Sequence, residues 1–149
     1  MAYLCMNSPL GVITLFGEDG ALVAVEWGRG PHPNPASTPL LAEAKGQLEA
    51  YFDGRLKVFD LPLRPAGTTF QLAVWARLNE IPYGATTTYG ALARLLDTAP
   101  RAIGGACGRN PIPLVVPCHR VIGAGGRMTG FSAIGGIAAK EALLRLEKG

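Results

Sequence analysis

TTTYGALARLLDTAPRAIGGACGR, residues 86–109, is the stretch whose reading decides the fold. Thr86-Thr87-Thr88 supplies a hydroxyl to cap a helix running from Tyr89 to Leu96, because a threonine there accepts from a free N–H of the first turn. Asp97-Thr98-Ala99-Pro100 interrupts it. A second helix begins near Arg101, with the proline in a first turn, where its missing N–H does no harm. Two short helices with a tight connection, the second basic, predict a helix-turn-helix. That second helix carries Gly104, Gly105 and Gly108, each costing about 1 kcal/mol relative to alanine. Glycines let a backbone approach another surface closely, either a neighbouring helix or a nucleic-acid backbone. Arg101 and Arg109 at its ends favour the nucleic acid.

Upstream, Thr68-Thr69-Phe70-Gln71 is a capping box opening a helix with a stripe of Phe70, Val74, Trp75 and Leu78, which Pro82 ends. Farther back, Val12–Phe16 and Ala21–Trp27 are strand-like runs on either side of Gly17-Glu18-Asp19-Gly20, a hairpin signal. Residues 28–39 hold four prolines and read as a loop. Leu40, Leu41, Ala44, Leu48 and Tyr51 recur at helical spacing and stop at Asp53-Gly54. A short strand is expected at Val58-Phe59, with a connection at 62–67. The fold class is therefore α+β: a small N-terminal antiparallel sheet with a helix (1–65), then a mostly helical, winged-helix-like domain with the helix-turn-helix (66–149). Nothing in the first domain forms a chemical constellation.

Charge divides the same way. Residues 1–100 carry 7 Lys/Arg against 9 Asp/Glu, whereas residues 101–149 carry 7 against 2. A basic half suggests a polyanionic partner for that half. Cys5, Cys107 and Cys118 are an odd, widely spaced set, which predicts reduced thiols. With His32 and His119 they make no metal-type cluster, so neither metal nor cofactor is expected. No apolar run approaches the ~20 residues of a membrane span, and the N-terminus lacks the charged start and apolar stretch of a secretory signal. A cytoplasmic monomer, away from membranes, is the expectation.

Downstream of the helix-turn-helix lies Val116-Pro117-Cys118-His119-Arg120-Val121. A thiol attacks as thiolate, which forms at neutral pH when a base, a cation or a helix N-terminus lowers its pKa from ~8.5. His119 is a candidate base. Adjacent side chains of an extended segment point apart, so contact with Cys118 needs a bridging water or a helical turn starting at Pro117. Gly123–Arg127 is a glycine-rich turn without phosphate-binding spacing. The last helix, Ile137–Glu147, ends on a carboxylate at the edge of its apolar stripe, where negative charge is disfavoured by about 0.3–1 kcal/mol. A partner would explain Glu147; an exposed, frayed end is the other reading.

Asn110-Pro111-Ile112-Pro113 followed by Pro117-Cys118-His119-Arg120, with Gly135-Gly136, Lys140, Leu143-Leu144 and Glu147 beyond, resembles the 6-O-alkylguanine-DNA alkyltransferase family. The resemblance runs through residues 68–149 and only loosely through the first sixty. It implies DNA repair by direct reversal: one irreversible transfer of a methyl or larger alkyl group from the 6-oxygen of guanine to Cys118. The implied partner is double-stranded DNA containing alkylated guanine, entered through its minor groove, with the damaged base rotated out. By the same resemblance Glu147 orients His119, which takes the Cys118 proton through a water, and Tyr89 donates to the guanine ring. Asn110 fixes the cysteine turn. Ser132, Phe131 and Val121 frame the base, and Pro113 lines the alkyl pocket. Arg101 fills the base stack, while Ala102, Gly105 and Arg109 meet DNA. The chain departs from the family pattern at Phe131, where tyrosine is usual, and over residues 131–136, which run about two residues longer and predict a looser rim to the pocket. Two other readings stay open: a Cys-His hydrolase or acyltransferase using Cys118, His119 and Glu147, and a lesion-binding protein without chemistry, whose known forms replace the cysteine.

Overall fold

The computed structural model describes residues 1–30, 37–128 and 136–149. The chain forms two compact units, Met1–Ala66 and Gly67–Gly149.

In the first unit β1 (Ala2–Ser8), β2 (Gly11–Glu18) and β3 (Ala21–Trp27) make an antiparallel sheet in that order. Asp19 and Gly20 turn β2 into β3 with φ of 51° and 75°. Both lie in the left-handed region that a two-residue hairpin requires and that these residues tolerate. β1 is an addition to the sequence reading; it pairs with β2 along its length, with Leu4 opposite Leu15 and Met6 opposite Ile13. Helix α1 (Pro39–Phe52), capped by Thr38, contacts all three strands and buries Leu41, Ala44, Leu48 and Tyr51 as one stripe. Each large apolar side chain so buried stabilises by roughly 1.5–3 kcal/mol. The strand expected at Val58-Phe59 does not form, and Val58 is 76% exposed. Leu22 of β3 bonds instead to the segment just beyond, its N–H donating to Pro62 O at 2.8 Å and its carbonyl accepting from Arg64 N at 2.9 Å.

In the second unit α2 (Thr69–Leu78) opens on the capping box, both of its bonds present. Burial along α2 begins at Val74, one turn later than expected, because the helix meets its neighbour at Trp75, whose indole N–H donates to Ala106 O at 2.9 Å. Phe70 is 38% exposed. β4 (Thr87–Thr88) leads into α3 (Tyr89–Leu95), where Thr88 is both last strand residue and helix cap. After Ala99 comes α4 (Pro100–Gly108), and Leu92 and Ala93 of α3 are buried in the same unit as Ile103, Ala106 and Cys107 of α4. This is the helix-turn-helix. A 3-10 turn, Cys118–Arg120, runs into β5 (Val121–Ile122), which pairs in parallel with β4, Thr87 beside Val121 and Thr88 beside Ile122. That ladder fastens the start of the helix-turn-helix to the turn carrying the cysteine. α5 (Gly136–Lys148) follows. The class is α+β, and among the described residues no helix is long and apolar enough to cross a membrane.

Candidate active site

The loop before the cysteine is shaped by Asn110. Its side-chain N–H donates to Val116 O at 2.9 Å and its side-chain oxygen accepts from Ile112 N at 2.9 Å, closing the loop on itself. Pro113 is buried within it. Leu114 is fully buried with φ of 76°. Such a backbone costs a non-glycine residue about 1–3 kcal/mol and is held only where the surroundings over-determine it. Pro117, with φ of −82° and ψ of 67°, then starts the 3-10 turn. A helical turn starting at Pro117 is thus present, carrying Cys118, His119 and Arg120. Cys118 and His119 are 5% and 0% exposed.

His119 Nε2 lies 2.7 Å from Glu147 Oε2. Glu147, 4% exposed, is the last buried residue of α5 and no frayed end. It also receives Arg120, whose Nε donates to Oε1 at 2.8 Å and whose second terminal nitrogen donates to Oε2 at 3.1 Å. The remaining terminal nitrogen of Arg120 donates to Ile81 O at 2.7 Å. The far ring nitrogen, Nδ1 of His119, is buried without a hydrogen-bond partner among the described residues. Burial pushes the His119 pKa below its ordinary 6.5, against the pull of Glu147 and with help from Arg120 and Lys140.

Lys140 of α5 is 1% exposed, with Nζ 3.4 Å from the Tyr89 hydroxyl and 5.6 Å from the centre of its ring. Its charge favours the thiolate of Cys118, as does a hydrogen bond from Asn110, yet burial outweighs both and pushes the thiol up. A neighbouring base is therefore not the dominant influence on this thiol: burial, which favours its protonated form, is. Cys107 is pushed up to about 12, first by burial and then by Cys118. Cys5 is partly exposed and is lowered, chiefly by the Thr14 hydroxyl 3.3 Å away and then by the N–H of Gly30. A small thiol reagent applied to the folded protein at about pH 8 should therefore modify Cys5 well before Cys107. Peptide mapping reads the order; simultaneous loss of both thiols would contradict it.

On the opposite side of α4, the burial of Ile103, Ala106 and Cys107 leaves the glycines outward. A Cβ added at Gly104, Gly105 or Gly108 would meet no atom within 4 Å. Packing against a neighbouring helix therefore does not explain them. Arg101, Gly105 and Arg109 are exposed and Ala102 half-buried. Tyr89, Pro100, Arg101, Gly104 and Arg127 line one open cleft of about 520 Å³. Val121 is fully buried. Phe131, Ser132 and the longer segment lie outside the described residues, except Gly136.

Sequence reasoning gave no role to Arg120, Lys140 or Arg127. The signal for the first two was a charge in an apolar setting: Arg120 stands between His119 and Val121, and Lys140 between Ala139 and the stripe of Leu143 and Leu144. Among the described residues no cluster of three or more His, Cys, Asp or Glu is placed to hold a metal ion.

Comparison with known proteins gives a consistent result. Residues 69–149 match the 6-O-methylguanine DNA methyltransferase DNA-binding domain, and residues 1–65 match the ribonuclease-like domain of the same methyltransferases. A methylated-DNA–protein-cysteine methyltransferase of Methanosarcina acetivorans is 46% identical over 155 residues, covering 99% of this chain and 98% of that protein. The crystal structure of Mycobacterium tuberculosis OGT in complex with DNA superposes with a TM-score of 0.89 at 42% identity, covering 99% of this chain and 93% of that one. A crystal structure of the Mycobacterium tuberculosis O6-methylguanine methyltransferase gives 0.87 at 43%, covering 99% and 92%.

Proposed function

The chain belongs to the 6-O-methylguanine DNA methyltransferase family, and on that premise we propose that Cys118 takes the alkyl group from 6-O-alkylguanine in double-stranded DNA, once per molecule. The observation that carries the assignment of roles is the buried His119–Glu147 contact next in sequence to the buried Cys118, in which one imidazole nitrogen is occupied by the carboxylate and the other is left to act as base.

The Cys118 thiol gives its proton, through a water, to Nδ1 of His119. Its sulfur forms a bond to the alkyl carbon as the bond from that carbon to the guanine 6-oxygen breaks, and guanine leaves with the electron pair. Guanine is a poor leaving group unless charge building on its ring is met, so a hydroxyl donor in place beforehand lowers the barrier. Tyr89 supplies that hydroxyl. Asn110 holds the loop, Pro113 borders the alkyl group, and Val121 backs the base together with Phe131 and Ser132. A thioether does not hydrolyse, so the product is the alkylated protein itself.

Because Cys118 is almost wholly buried, it reacts only with a base turned out of the duplex. α4 presents its open glycine face and Ala102 to the minor groove, with Arg101 in the gap in the stack and Arg109 on the backbone. The protein acts as a monomer in the cytoplasm, without a cofactor. The test is the intact mass after incubation with DNA carrying methylated guanine. Protein and repaired guanine should appear one to one, with one methyl group on the peptide containing Cys118. Repeated turnover would return the assignment to a hydrolase or acyltransferase, and methyl on Cys107 would move the nucleophile.

A further inference from the structure

Arg120 is buried, carries a full positive charge, and spends its guanidinium on the carboxylate that orients the base. We propose that Arg120 is a positioning residue for alkyl transfer, which by taking up the charge of Glu147 keeps His119 neutral with its proton on Nε2 and its lone pair on Nδ1. The proposal rests on the reading of His119 as the base for Cys118.

The argument is one of charge in a dry site. A carboxylate and an imidazole buried alone together attract a proton onto the ring, giving an ion pair of zero net charge whose Nδ1 already bears hydrogen. Such a ring is no base. A guanidinium bonded to both carboxylate oxygens makes the pair neutral before the ring takes any proton. An additional proton on His119 would then leave a net positive charge out of water, next to Lys140 of α5. The ionised carboxylate can only accept, so the 2.7 Å contact to Nε2 requires the proton on Nε2. Nδ1 is left as acceptor, and it is the nitrogen that no described residue occupies. The charged and titratable groups around the ring are Glu147 and Lys140 of α5, Arg120 and Cys118 of the same turn, and Tyr83, whose ring centre is 5.8 Å from the Arg120 guanidinium carbon.

A side chain that only filled space would lower the rate equally at every pH. One that keeps the base unprotonated shifts where the rate falls. Single-turnover transfer should be measured against pH for the native protein, Arg120→Lys and Arg120→Met. Removing the guanidinium removes a repulsion felt by the imidazolium, so His119 binds its proton more tightly. The acid side of the profile should move up by about one pH unit or more in Arg120→Met, and by less in Arg120→Lys, which keeps the charge but not the fork. At high pH the rates should converge on the native value. Profiles lowered uniformly, with the acid side in place, would overturn the proposal.

Should neither variant fold, NMR shifts of the His119 ring nitrogens in the native protein decide the matter. A neutral ring protonated on Nε2 at pH 7 is expected, and an imidazolium or a proton on Nδ1 would overturn it. His119→Gln separates the two layers of the argument. If that variant transfers alkyl groups at the native rate, the base assignment fails; if it is slow while the Arg120 profiles stay in place, only the role of Arg120 fails.

Discussion

Cys118→Ser should bind alkylated duplex DNA as tightly as the native protein does and transfer nothing to itself. A serine hydroxyl is a far weaker and harder nucleophile than a thiolate toward an alkyl carbon, and removing the nucleophile of such a set costs at least about a thousandfold in rate. The substitution is nearly the same size, and Cys118 is buried, so binding should survive. Gel retardation with damaged duplex and single-turnover release of repaired guanine measure the two properties. Residual transfer within tenfold of native, onto any residue, would end the case for Cys118.

Glu147→Ala should have the largest effect on stability. The truncation leaves Arg120 buried with its charge unmatched and His119 without its orienting acceptor. Breaking a buried pair by removing one partner costs about 3–5 kcal/mol, a large part of the 5–15 kcal/mol typical of a folded domain. The midpoint of denaturant unfolding should fall accordingly. Glu147→Gln keeps the shape and part of the hydrogen bonding and should lose less. A loss under about 1 kcal/mol in Glu147→Ala would mean that water reaches Arg120 readily. Because these two changes act on different properties, transfer for one and folding for the other, they separate the chemistry of the site from its support.

How far the chain could be read depended on how local each interaction is. Thr68 with Gln71, Thr88 with Ala91, and Asp19-Gly20 each complete their bonds within a few residues, and their helices and hairpin stood where the sequence put them. β1 escaped notice because Ala2–Ser8 has neither strict alternation nor a β-branched residue; its pairing with β2 makes it a strand. Val58-Phe59 had strand-forming residues, but it is the segment a few residues on, Pro62 to Arg64, that bonds to the edge of β3. In the site, the sequence motif supplied Cys118, His119 and Glu147 by resemblance, but the partners of Arg120 lie 27 and 39 residues away. No local rule reaches that far. Burial, the dominant influence on the Cys118 proton, likewise belongs to the whole unit and not to the neighbouring histidine.

Glu147 stands one residue before the end of α5, and helix ends are the parts of a fold that open first and most often. Here the last turn is moored from outside by the Tyr83 hydroxyl on Leu146 O at 3.3 Å and by the grip of Arg120 and the N–H of Gly84 on Glu147 itself. Without that mooring, opening of the turn would unplug the carboxylate from His119 while the rest of the unit stayed folded. A copy that frays before it has reacted closes again and stays able to react, so the share of time this turn is closed scales the rate at which a population repairs. The mooring of a single helical turn thus acts as a safety catch, deciding how many of the folded copies are armed when a lesion arrives.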